Sequence, residues 1–181
     1  MRYQLPPDNP FALKGMKEYP KMSEETIAFT ADLTYKGKVV ASCKNDGHGG
    51  SNMVYWCYNK PEGKAAEAAL ATYVKTLPPD GTFSDGNPFD INEDYFITVM
   101  VDTICQAKFD AKQTKKWLKL CAEYTVFRYE GDEKGRWRMM QTQSKTPLPT
   151  PQFQQYVAAK GKVEAVLNEL ISSDPLAFER F

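Results

Sequence analysis

A period of two near the start of the chain limits its fold more than any other feature. In TIAFTADLTY, residues 26–35, Ile27, Phe29, Ala31 and Leu33 alternate with Ala28, Thr30, Asp32 and Thr34. Successive side chains of an extended strand point to opposite faces, so the pattern predicts a strand with one buried face. Lys36-Gly37 follows, and glycine reaches the positive φ of a tight turn without steric cost. VVASC (39–43) is then the return strand and MVYWCY (53–58) a third, which makes a three-stranded antiparallel meander. Residues 1–22 carry Pro6, Pro7, Pro10 and Pro20 and read as an irregular arm. Residues 23–181 read as a single α+β domain.

Helical patterns come next. Pro61 suits a first helical turn, where its missing N–H costs nothing. KAAEAALATYVKT (64–76) is rich in alanine, the best helix former. A second helix starts near Asp90 or Asn92 and carries Phe96, Val99, Met100 and Ile104 on one stripe. Asp110 and Gln113 resemble a capping box that opens a third helix with Trp117, Leu118 and Cys121. YTVFRYE (124–130) and RWRMMQT (136–142) read as two strands joined by GDEKG, with Arg136 and Arg138 on one face. Beyond the proline-punctuated SKTPLPTP come a short helix over 152–159, a break at Gly161 and a last helix near 163–171. The fold class expected is α+β: an antiparallel sheet, built as a three-stranded meander plus a later hairpin, packed against three to four helices.

Charge and composition narrow the function classes. Lys plus Arg and Asp plus Glu are both 23, so the net charge is zero, against a broadly basic nucleic-acid coat or a polyanionic mimic. No run approaches the roughly 18–20 apolar residues of a membrane span. The first residues lack the apolar core of a signal peptide, so the expected location is cytoplasmic, with no membrane partner. Cys43, Cys57, Cys105 and Cys121 are scattered without CxxC spacing and read as free core thiols. No metal site, cofactor or catalytic set is assigned, and the oligomeric state is not specified by the sequence.

One loop stands out. NDGHGGSN, comprising Asn45, Asp46, Gly47, His48, Gly49, Gly50, Ser51 and Asn52, packs three glycines and the only histidine into eight residues. Bare backbone amides converging in such a loop can hold an anion, and His48 adds a ring that can donate or accept a hydrogen bond. The functional reading is a loop that binds a phosphate, a nucleotide or a partner backbone. The bland reading is a wide hairpin connection with an exposed histidine. Neither GxxxxGK[ST] nor GxGxxG is present. A second candidate is a basic surface of Lys112, Lys115, Lys116, Lys119, Arg128, Arg136 and Arg138. Residues 111–145, with Lys134 and Lys145 included, hold nine basic against four acidic residues. Three functions follow: a binding protein without catalysis; a nucleic-acid or nucleotide binder using the loop and the basic strand; or a small hydrolase or nuclease centred on His48 with Asp46.

The block SEETIAFTADLTYKGKVVASCKNDGHGGSN, followed by Tyr55 and Trp56, resembles an uncharacterised group of small proteins from phages and other mobile elements. TVFRYEGDEKGRWR is similar to a second block of that group, so the resemblance spans about residues 23–138. It carries no established activity and no site residues. It implies an accessory gene of a mobile element, a setting in which small proteins often bind and block host defence proteins such as CRISPR nucleases. The partner it implies is a host defence protein in the cytoplasm of the host cell.

Overall fold

The computed structural model describes residues 3–144, 146–148, 150–158 and 160–180. Lys145 of the basic run and Ala159 of the expected 152–159 helix lie outside the described residues. The fold is α+β, and the chain divides into two compact units, Met1–Cys105 and Gln106–Phe181. No helix among the described residues is long and apolar enough to cross a membrane.

The first unit holds a four-stranded antiparallel sheet in the order β1-β2-β3-β4, with β1 Phe11–Glu18, β2 Phe29–Tyr35, β3 Lys38–Asn45 and β4 Met53–Trp56. The alternation in β2 does what its period requires: Phe29, Ala31 and Leu33 are buried while Thr30 and Asp32 are exposed. Thr34 departs from it, because a register shift after Leu33 turns it inward, where its hydroxyl donates to the Ala12 carbonyl at 3.0 Å. Lys36 and Gly37 both have positive φ, 47° and 82°, the pair that a two-residue hairpin loop needs to match strand twist. Residues 11–18 correct the expectation of an irregular arm. They form β1, pairing Phe11 with Tyr35 and Leu13 with Leu33. A bulge between Lys14 and Lys17 breaks the alternation and hides the strand from a periodicity test.

Helix α1 (Pro61–Tyr73) and the start of α2 (Glu93–Glu123) cover one face of this sheet. Phe29, Leu33, Leu70, Phe96 and Ile97 are essentially inaccessible there, each worth about 1.5–3 kcal/mol of burial. Asn92 caps α2 as expected, its Oδ1 accepting the Tyr95 amide at 2.8 Å. The helix break expected at Asp110 does not occur. Gln106 Nε2 donates to Asp110 Oδ1 at 2.5 Å within one continuous helix of 31 residues.

The second unit has a three-stranded antiparallel sheet, β6-β5-β7, from β5 (Thr125–Tyr129), β6 (Arg138–Met140) and β7 (Val163–Val166). The expected β5–β6 hairpin is there. The helix expected over 163–171 is corrected: Val163–Val166 pairs with β5, and only Leu167–Leu170 is helical (α4), after α3 (Thr150–Ala158) and before α5 (Ala177–Arg180). Two valines in four residues favour the strand, and an open edge of β5 satisfies its backbone. Asn168 locks the junction. Its Nδ2 donates to the Cys121 and Tyr124 carbonyls, both at 2.8 Å, and its Oδ1 accepts the Val126 amide at 2.7 Å. Trp117 belongs to this core, stacked on Phe178 at 5.8 Å.

Candidate functional site

The glycine-rich loop connects β3 to β4, and its inner part is built into the first unit. The Gly47 carbonyl accepts the amides of Glu24, Glu25 and Thr26 at 3.0, 3.1 and 3.3 Å. Gly47 itself has φ of 90°, and an added Cβ would lie 2.1 Å from the Met22 carbonyl oxygen. Only glycine fits a close backbone approach of that kind. The Gly47 amide donates to Asn45 Oδ1 at 2.8 Å, and the Gly49 amide to Thr26 Oγ1 at 3.3 Å. The Asn52 amide donates to Asp94 Oδ1 at 2.7 Å.

Two asparagines serve as hubs. Asn45 is buried and spans the loop, its Nδ2 donating to the Gly50 carbonyl at 2.8 Å. Asn52 Nδ2 reaches Asp94 Oδ1 at 2.8 Å and Thr98 Oγ1 at 2.9 Å on α2. Asp46, His48, Gly49, Gly50 and Ser51 are exposed, and His48 Nδ1 lies 3.0 Å from Glu24 Oε2. The expected cradle of converging amides is therefore corrected: the amides of residues 47, 49 and 52 are spent on internal acceptors.

Beside the loop is a cleft of about 560 Å³, wholly within the first unit. Its lining includes four carboxylates, Glu24, Glu25, Asp94 and Asp102, and neither lysine nor arginine. An anion there would meet carboxylates and no basic side chain in the lining, so the cleft suits a cationic group instead. Periodicity hid this site, because Glu24 and Glu25 precede the strand signal and Asp94 reads as an ordinary first-turn helix acid. Among the described residues, no group of three or more His, Cys, Asp or Glu side chains is arranged to hold a metal. Burial pushes the Cys43 thiol up to about 12 and the Cys121 thiol up to about 11, away from thiolate chemistry at neutral pH.

The expected basic surface lies in the second unit and divides in two. Lys112, Lys115, Lys116 and Lys119 are exposed along α2. Arg128 is corrected: it is buried, with Nε 2.7 Å from Glu164 Oε2, and it donates through Nη2 to the Asp132 carbonyl at 2.5 Å. Arg138 grips Asp132 at both carboxylate oxygens, 3.0 and 2.6 Å away, and lies over the Tyr129 ring. The Arg138 hydrogen bonds hold the Asp132 carboxyl well below the usual carboxylate range. Arg136 is exposed but falls outside β6, so it does not share a strand face with Arg138.

Compared with known proteins, the chain matches no family model, no curated protein and no solved structure.

Proposed function

We propose that this chain is a non-enzymatic binding protein of a phage or mobile element that inhibits a host defence factor, such as a CRISPR nuclease, in the host cytoplasm. The observation that carries the reading is the cleft lined by Glu24, Glu25, Asp94 and Asp102 without a basic residue. Proteins that handle nucleic acid carry Lys- and Arg-rich surfaces, and a carboxylate cleft is complementary to them. The neighbouring loop is already ordered by its own hydrogen bonds, so docking costs it little conformational freedom. His48 is exposed, and its ring bonds Glu24 rather than a hydroxyl or thiol that it would activate, which favours binding over hydrolysis.

The test is plasmid survival in cells that carry a CRISPR nuclease and express the full chain. Survival is expected to rise, and the rise to be lost in a Glu24→Lys, Glu25→Lys variant but kept in His48→Ala. No rise, or a rise indifferent to the charge reversal, overturns the reading.

A further inference from the structure

The first unit has a second surface, on the side of its sheet away from the helices. Core residues of the meander point toward α1 and α2. On the opposite face Lys14, Thr30, Asp32, Ser42 and Tyr55 are exposed, and the strand register orders the side chains into two rows. Lys14, Asp32, Ser42 and Tyr55 stand side by side across β1 to β4. Lys17, Thr30, Lys44 and Met53 form the next row. Three lysines thus face one aspartate. Lys14 lies opposite Asp32, and Lys44 makes an exposed pair with Asp46 at 3.4 Å. Lys17 is exposed.

A shallow groove of about 350 Å³ crosses these rows. Gly15, at the β1 bulge, contributes no side chain to it, and two tyrosines line it. Tyr55 is 52% exposed and Tyr19 38% exposed, so ring surface is available on each. The Tyr19 hydroxyl is held by the Thr30 hydroxyl at 3.2 Å, which fixes that ring at the groove edge. The groove spans four strands, about 14 Å at an inter-strand spacing of about 4.8 Å.

We propose that this face binds single-stranded nucleic acid. Unpaired bases stack on exposed aromatic rings on a sheet, while lysines meet the phosphates between them. Thr30 and Ser42 supply hydroxyls between the rings for base edges or sugar. A duplex keeps its base faces stacked and offers nothing to Tyr19 and Tyr55. An acidic peptide would use the lysines but leave the rings idle. The surface uses none of the cleft carboxylates, so it goes beyond the function proposed above and does not depend on it.

The experiment is fluorescence anisotropy of a labelled oligo(dT) of about twelve nucleotides with the full chain. Binding is expected, and it should weaken between about 50 and about 200 mM salt, because displaced counterions oppose it. Lys17→Glu with Lys44→Glu should weaken binding by about tenfold or more. Tyr55→Ala should weaken it with an unchanged salt slope. Glu24→Lys with Glu25→Lys, and Lys115→Ala with Lys116→Ala, should not weaken it. All of these side chains are at least partly solvent-facing, and unchanged thermal melts check that each variant folds. The proposal is overturned if oligo(dT) does not bind, if duplex of the same length binds as tightly, or if the Lys17/Lys44 variant binds like the parent while the α2 lysine variant does not.

Discussion

In the first unit, two amide side chains organise the 45–52 loop: Asn45 through neutral partners, and Asn52 through the Asp94 carboxylate. In the second, Asp132 gathers Arg138 and the Tyr129 amide, and its carbonyl takes Arg128, in a network held largely by charge. Both segments are polar and contain glycines; in sequence the first reads as a surface offered to a partner and the second as a hairpin turn beside the basic strands. Folded, both spend polar groups on the chain's own backbone and side chains. A connection between strands must satisfy its amides and carbonyls somewhere, and a buried or half-buried one does so internally. Asn45 holds its part of the loop through neutral groups, whereas the Asp132 network depends on a carboxylate paired with Arg138 staying ionised.

Substitutions can break that contrast. Gly47→Ala should have the largest effect, a loss of about 3 kcal/mol or more, because left-handed backbone and a clash with the Met22 carbonyl act together. Urea unfolding at neutral pH measures it, and a change under about 0.5 kcal/mol would remove the close-approach argument. Asp132→Asn should come next and sharpen the difference. Its carboxyl is held below its unfolded value of about 3.9, so its stabilisation is fully present above about pH 4 and fades as pH falls further. The variant should be less stable at pH 7 and show a shallower loss between about pH 4 and about pH 2. An unfolding midpoint with the same acid dependence as the parent would place the acid sensitivity elsewhere. His48→Ala should do least, within about 0.5 kcal/mol, since the pair with Glu24 is exposed. A larger loss would make His48 part of the scaffold.

Much of the fold was legible in residues whose local chemistry and tertiary role agree. Phe29, Ala31 and Leu33 announce β2, Lys36-Gly37 its turn, and Asn92 the start of α2. Disagreement came where tertiary pairing overrides local pattern. The β1 bulge shifts the phase between Leu13 and Met16. Val163, Val166, Leu167 and Leu170 fit a helical stripe, yet the open edge of β5 claims the first four residues of that segment. At the loop, sequence picked out Asn45 to Asn52 as special but not the acceptors that occupy it. Thr26 and Asp94 are 19 and 42 residues away from their asparagine partners, a separation no local pattern records. Arg128 shows the same limit, since only the strand pairing reveals that it faces Glu164.

Amide hydrogen exchange, resolved by residue, asks whether the loop is scaffold or open cradle. The amides of Gly47 and Asn52 are expected to exchange much more slowly than those of Gly50 and Ser51, since their hydrogen bonds to Asn45 and Asp94 must open first. Uniformly fast exchange across residues 46–52 would contradict this and return those amides to an outside ligand.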